Sequence, residues 1–103
     1  MGTSRIDKLT QFLNANPKDS FARFGLAMEY ATLGESDKAL ENFQKLWESN
    51  PNYVAAYFQA GKLLAKAGKT DAARQVLSDG IQAATRIQDQ HAKSEMEAFL
   101  ADL

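Results

Sequence analysis

The stretch NPKDSFARFGLAMEYATLG, residues 16–34, returns in altered form 34 positions later as NPNYVAAYFQAGKLLAKAG, residues 50–68. The two copies agree at the Asn-Pro pair, at two alanines, at a phenylalanine and at the closing glycine. The agreement continues beyond the quoted stretch, because Ala39 and Ala73 also fall into register. A fixed period of this length is typical of proteins built from stacked helix pairs, in which each pair buries its apolar face against the next. The sequence therefore predicts a helical stack.

Composition and charge restrict the class of protein. Of the 103 residues, 45% are hydrophobic and 24% are charged, as in folded globular domains. The formal net charge of −1 argues against nucleic acid as a partner, because phosphate binding requires a basic excess. No stretch approaches the ~20 apolar residues of a membrane helix, so we expect no membrane partner. The lack of cysteine fits a reducing compartment, and we expect a cytoplasmic location.

Six helices are predicted, because apolar residues recur along the chain at three- and four-residue spacing. An N-terminal helix covers residues 3–16. Two helix pairs then fill residues 20–53 and 54–87, and a capping helix lies within residues 89–103. The short loops favour antiparallel neighbours. The sequence thus predicts one all-α domain over residues 1–103.

The helix ends carry local signals. Asparagine before proline predicts an N-cap followed by proline in the first helical turn, and a hydroxyl residue shortly after glycine predicts an N-cap as well. Gly34 and Gly68 are predicted to follow helix C-termini with positive φ. The N-caps predicted in this way are Asn16, Ser36, Asn50 and Thr70.

Small and apolar residues at the helix crossings show a resemblance to a known family. In the first pair these residues are Leu26, Ala27, Tyr30, Gly34, Ala39, Phe43 and Pro51. In the second pair they are Tyr57, Ala60, Gly61, Leu64, Gly68, Ala73 and Leu77. The first pair closely resembles a tetratricopeptide repeat, and the second resembles it more loosely. The resemblance implies an α-solenoid of two such repeats with an N-terminal helix before them and a capping helix after them.

The second repeat departs from the pattern at its end. Thr85 stands where a closing proline is expected, whereas Pro51 closes the first repeat. Without the proline, the fifth helix need not stop near Ala84 and is expected to run on to about Ile87. The capping helix would then lie out of strict repeat phase.

A second stripe on the first helix of each pair predicts a binding surface. A helix that is apolar on more than one side is either buried twice or exposes a patch. The resemblance implies that these stripes line a concave groove that holds a peptide or a partner helix. The candidate binding residues are Phe21, Phe24, Met28, Phe58, Lys62 and Lys66.

The predicted groove is apolar at one end and basic at the other. Each exposed lysine contact contributes about 0–1 kcal/mol, so we expect affinity from the apolar residues and orientation from the lysines. In the best-known groove of the family, lysine and asparagine side chains clamp the C-terminal carboxylate of a chaperone. Phe24 and Met28 stand at the matching positions here, which argues against a chaperone-tail clamp.

The capping helix leaves a second interpretation open. Its apolar stripe of Met96, Phe99 and Leu103 is able to cover Phe58, and a second copy of the chain is able to do the same. An open groove predicts an adaptor or assembly module that binds a protein or peptide. A filled groove predicts a structural or self-associating repeat protein. We expect a monomer or a weak homodimer in either case.

Residues that are often catalytic or metal-binding are isolated in this chain. His91 is the single histidine, and no cysteine is present to join it as a metal ligand. The triplet Gly68-Lys69-Thr70 lacks the earlier glycine and the preceding strand of a phosphate-binding loop. Trp47 continues a helical apolar stripe and is expected to pack between the repeats. We therefore expect no enzyme, no catalytic residue, no metal and no cofactor.

Overall fold

The structure is a computed structural model that describes residues 4–103. All regular structure in this range is helical, which confirms the all-α fold class. The predicted starts of the domain at residue 1 and of the first helix at residue 3 lie outside the described residues. The helices are α1 (Arg5–Ala15), α2 (Ser20–Thr32), α3 (Ser36–Ser49), α4 (Val54–Lys66), α5 (Thr70–Arg86) and α6 (Gln90–Ala101).

The helix pair α2–α3 is repeated as α4–α5. Both helices of the second pair begin 34 residues after their counterparts, and each helix packs on the next along the chain. Helix α5 runs on to Arg86, as expected in the absence of a proline at Thr85. Helix α6 begins at Gln90, which is 36 residues after the start of α4 and so out of strict phase.

The predicted N-caps Asn16 and Asn50 are wrong, because both residues are C-caps. They end α1 and α3, and the backbone N–H of Asn16 donates to the Phe12 carbonyl at 2.9 Å. Each asparagine carbonyl then accepts a hydrogen bond from the N–H three residues later, which belongs to Asp19 or Tyr53. The Asn-Pro pair therefore opens a turn with proline at its second position, a favoured place for a residue of fixed φ.

The N-cap predictions at Ser36 and Thr70 are also wrong. Both are first helical residues, and the N-cap positions before them make no side-chain cap hydrogen bond. Asp19 does cap α2, since its carboxylate accepts from the Ala22 N–H at 2.8 Å. Asp89 caps α6 in the same way at 3.1 Å. Carboxylates rather than hydroxyl groups thus satisfy the free N–H groups at these two helix starts.

Residues with positive φ follow the helix ends, as predicted for the two glycines. Gly34 and Gly68 both have a φ of 78°. Gln88 takes the corresponding place after α5 with a φ of 61°. The left-handed region is unfavourable for a residue with a Cβ, so the turn before α6 carries a strain that the other two avoid.

Three apolar clusters hold the helices together. The first joins α2, α3 and α4 around Phe43, and the second joins α4, α5 and α6 around Leu77. The third joins α1 to α2 around Leu13. Trp47 stacks on Tyr57 with 5.0 Å between the ring centres and connects the first two clusters, as expected for packing between repeats.

Glycine permits close approach at two helix crossings. A Cβ added at Gly61 would come within 2.7 Å of the Leu77 side chain. A Cβ added at Gly80 would come within 2.6 Å of the Tyr57 Cβ and 2.7 Å of the Met96 sulfur. The Tyr57 Cβ is fixed to the backbone and cannot move aside by rotation.

We predict that Gly80→Ala lowers the free energy of unfolding by about 1–3 kcal/mol, because the new methyl group overpacks the crossing of α5 with α4 and α6. Gly25→Ala is the matched control. Its Cβ would meet Leu9 at an ordinary 3.7 Å, so the better helix propensity of alanine is expected to raise stability by up to about 1 kcal/mol. Urea unfolding measures both values, and equal stability of the two variants would contradict the close crossing.

We predict that Gln88→Gly raises the free energy of unfolding by up to about 1 kcal/mol. Glycine removes the left-handed strain, which outweighs the extra entropy that it has in the unfolded chain. Gln82→Gly is the control, because this exposed residue lies within α5 and the same change there costs about 1 kcal/mol. A loss of stability in Gln88→Gly, measured by thermal or urea unfolding, would contradict the prediction.

Candidate binding groove

An apolar groove of about 550 Å³ lies between α1 and α2. Its walls come from residues that face each other across the two helices, and charged side chains lie at its ends. We call it the α1–α2 groove. Its apolar walls are formed mainly by Leu9, Phe12, Phe21, Phe24, Gly25 and Met28.

Two phenylalanines in the walls are exposed. The Phe21 side chain is 81% exposed and that of Phe12 is 47% exposed. Exposed aromatic side chains beside an apolar groove mark a surface suited to contact with another molecule, because covering them removes apolar area from water. Phe12 and Phe21 lie on neighbouring helices, because α1 corresponds to α3 in the stack and packs on α2 as α3 packs on α4.

Charged residues of opposite sign lie at the two ends of the groove. Arg5 begins α1, and its guanidinium pairs with the Glu29 carboxylate at 3.0 Å. Asp19 lies at the other end, where its carboxylate caps α2. The groove thus runs from a paired cation to a helix-capping anion.

Phe24 belongs both to the groove and to the core. Its ring lies 5.4 Å from the ring of Tyr53 and 5.9 Å from that of Phe43, and the residue is half-buried. Burial raises the pKa of the Tyr53 phenol above its ordinary value of 10.0, and the nearby Asp19 carboxylate raises it further. The phenol is therefore neutral at physiological pH, and Phe24 packs against an uncharged aromatic wall.

The candidate residues on α4 lie in different surroundings. Phe58 contacts Phe99 of α6 edge to face, with 6.0 Å between the ring centres. The Lys62 ammonium lies 4.0 Å from the centre of the Phe58 ring. Helix α6 therefore covers much of this part of the surface, while Lys62 and Lys66 stay exposed.

The structure thus divides the six predicted binding residues into two groups. Phe21, Phe24 and Met28 line the α1–α2 groove, and the other three lie on α4, where Phe58 contacts α6. Sequence reasoning missed the contribution of Leu9 and Phe12 to this site. The signal was the repeat register, which places them one period before core positions of α3. Among the helices of residues 4–103, none covers α1 on this side.

Residues 4–103 contain neither a metal-binding cluster nor a membrane-spanning helix. No three histidine, cysteine, aspartate or glutamate side chains in this range are grouped closely enough to hold a metal ion. No helix in the same range combines the length and the apolar composition required to cross a membrane.

Comparison with known proteins identifies the family. A sequence model described as tetratricopeptide repeat matches residues 30–103. The chain belongs to the tetratricopeptide repeat family. A TPR repeat-containing protein of Pseudomonas aeruginosa is 33% identical over 98 residues, which cover 95% of this chain and 93% of that protein. The repeat seen in the sequence is therefore that of the family, which generally mediates protein–protein interaction.

Solved structures of the family have the same fold. The solution structure of a tetratricopeptide repeat domain protein from Salinibacter ruber has a TM-score of 0.79 and 32% identity, over 84% of this chain and 87% of that chain. The TPR2B domain of yeast Sti1, in its complex with pHsp70, has a TM-score of 0.85 over 93% of this chain and 77% of that chain. Its sequence identity is 18%, so this likeness concerns the fold alone.

We predict that Phe21→Glu changes the free energy of unfolding by less than about 0.5 kcal/mol, because the ring is exposed and contributes little to the core. Phe43→Ala is the contrasting change, since the fully buried ring leaves a cavity and the loss is expected to be about 3–5 kcal/mol. Urea unfolding of both variants measures these values. A large loss in Phe21→Glu would show that this ring supports the fold and is not available to a partner.

Proposed function

We propose that this tetratricopeptide repeat protein binds a segment of another protein on the surface that begins at the α1–α2 groove and continues to the lysines of α4. It would serve as an adaptor or assembly module rather than as an enzyme. The observation that carries the proposal is the apolar groove of about 550 Å³ with Phe12 and Phe21 exposed beside it.

Apolar contacts account for most of the expected affinity. Full burial of one phenylalanine side chain contributes about 1.5–3 kcal/mol, and the groove offers two exposed rings together with the half-buried Met28. Methionine adapts its shape to a partner because its side chain is unbranched and flexible. Lys62 and Lys66 are exposed, so each contributes about 0–1 kcal/mol and acts mainly on orientation.

The alternative function, a structural or self-associating repeat protein, is favoured by one contact. Phe99 of α6 already covers Phe58, so the chain fills part of its own surface at the α4 end. We therefore propose that partner binding depends mainly on the α1–α2 end. The proposal includes a cytoplasmic location and a monomer or weak homodimer, which cell fractionation and light scattering over a range of concentrations would test.

A chaperone tail is not the partner that we propose. The Sti1 domain is similar in fold, but this chain carries Phe24 and Met28 where the chaperone clamp of the family has polar and basic side chains. An apolar surface of this kind fits aliphatic or aromatic side chains better than a free carboxylate.

We predict that Phe21→Glu reduces the recovery of partner proteins from lysate by about tenfold, because a charge replaces an apolar contact of about 1.5 kcal/mol or more. Lys62→Glu is expected to have a smaller effect. Leu33→Glu is the matched control, since Leu33 is 64% exposed and lies outside the groove. Quantitative mass spectrometry of captured proteins measures recovery, and equal recovery by all variants and the unchanged chain would contradict the proposed function.

A further inference from the structure

The surface formed by α1 and α2 corresponds to two other surfaces in the chain. Both of those surfaces are covered by a helix. Helix α2 packs on α3 and α4 in the first cluster, and α4 packs on α5 and α6 in the second. The third cluster contains residues of α1 and α2 alone. Helix α2 thus covers α3 and α4, and α4 covers α5 and α6. Within residues 4–103, no helix covers α1 and α2 in the same way.

The repeat register shows which positions a further helix would bury. Leu9 corresponds to Phe43 and, one period later, to Leu77, and both of those residues are fully buried. Phe12 corresponds to Leu46, which is 1% exposed, whereas Phe12 itself is 47% exposed. The position of Phe12, which a helix covers in the first repeat, is therefore open in α1, and Leu9 beside it is only partly buried.

The two covering helices share a pattern of side chains. Each has a phenylalanine, a small residue three positions later and an alanine seven positions later. The shared positions are Phe24 and Phe58, Ala27 and Gly61, and Ala31 and Ala65. A small residue is needed because a Cβ at Gly61 would press on Leu77. Leu77 is the counterpart of Leu9, so a helix over Leu9 also requires glycine or alanine at that position.

The charges at the ends of the groove set a direction for such a helix. If it lay as α2 lies on α3, it would run antiparallel to α1, with its N-terminus near Asp19 and its C-terminus near Arg5. A helix has a partial positive charge at its N-terminus and a partial negative charge at its C-terminus. Its N-terminus would meet the Asp19 carboxylate, and its C-terminus would meet the guanidinium of the Arg5–Glu29 pair. Arg5 stands in register with the buried Ala39 and Ala73, so the last turn of the helix must leave room for the guanidinium.

We propose that the α1–α2 groove binds a single amphipathic α-helix of a partner protein, antiparallel to α1, with phenylalanine, then glycine or alanine after three residues, and alanine after seven. The bound helix completes a third helix pair with α1. Its length is that of the two covering helices, which have 13 residues each. This inference rests on the proposed function, because it names the occupant of the α1–α2 end of that surface. A second copy cannot supply its own α2 or α4, since those helices already pack on α3 and α5 within its fold.

A peptide taken from the chain itself is the probe. The peptide comprises residues 19–33, which include α2, because α2 already lies over large side chains. Helix α4 is less suitable, because it lies over Gly80 at the register position where α1 has Phe12. The peptide carries a fluorescent label and capped termini, and its anisotropy is followed during titration with the full chain. We expect saturable binding that Phe12→Glu in the protein weakens by about tenfold or more, while Leu33→Glu leaves it unchanged. Circular dichroism verifies that both variants are folded.

Changes in the peptide separate a helix from an extended segment. Ala27→Leu in the peptide enlarges the residue expected over Leu9, and Met28→Pro prevents a continuous helix. Both changes are expected to weaken binding by about tenfold or more. Failure of the parent peptide to bind at its solubility limit, or equal binding by the proline peptide, would overturn the proposal.

Orientation and self-association are tested separately. A spin label at the N-terminus of the bound peptide is expected to broaden amide signals around Asp19, and one at the C-terminus those around Arg5; the reverse pattern overturns the proposed direction.

Sedimentation equilibrium without peptide is expected to give a monomer, and a dimer that the peptide dissociates would assign the groove to a second copy. If Phe21→Glu abolishes capture from lysate but no helical peptide binds, the proposed function holds and the helical occupant is wrong.

Discussion

The close approach of two helices within each pair is the constraint on which the rest of this structure depends. Ala27 and Ala39 are fully buried in the first pair, and Gly61 packs against Leu77 in the second. Small residues at such crossings bring helix axes to about 8 Å, the short end of the usual range. At that distance the second helix of each pair reaches the first helix of the next. The apolar clusters then form a continuous stack.

The two ends of the stack are finished differently. At the C-terminal end, α6 buries Met96 completely and places polar side chains such as His91 and Glu95 on its outer side, where they pair at 3.0 Å. A polar outer face is what the last element of a repeat stack requires for solubility. Helix α1 is mostly polar on its exposed side, but the exposed ring of Phe12 interrupts that polar face at the groove. This departure from the rule is the physical reason to regard the α1–α2 groove as a binding surface.

The sequence predicts the packing of this chain better than its helix ends. Periodicity and register identify the helices and crossings such as Ala39 and Ala73, because burial at those positions follows from the stack itself. The Asn-Pro signal misleads, since proline is equally acceptable in the first turn of a helix and at the second position of a turn. Only the distance that the chain must span between α1 and α2 decides between them, and that distance is a tertiary property.

The candidate site shows the same limit. The apolar stripe that includes Phe24 and Phe58 is readable in the sequence, but its division into an open and a covered part is not. The stripe of α6 indicates that some apolar surface is covered, and the place of the Phe99 ring depends on the extra length of α5, which shifts α6 by two residues from the repeat phase. The part played by Phe12 was accessible from the register alone, because α1 corresponds to the second helix of a pair and no helix within residues 4–103 takes the place of the first.

Binding and stability are coupled in a stack this short. Helix α1 has one buried residue, Leu13, and it contacts the rest of the molecule mainly through α2. A partner that covers its open side adds contacts to the least buried helix and so stabilises the folded state in proportion to the logarithm of partner concentration over its dissociation constant. Phe24 lies on α2, which forms one wall of the groove, and its ring also packs on the first cluster. A partner bound in the groove therefore also stabilises that cluster. The α1 end of the stack, where the groove is open, is thus also the end where a bound partner would most increase the stability of the repeat stack.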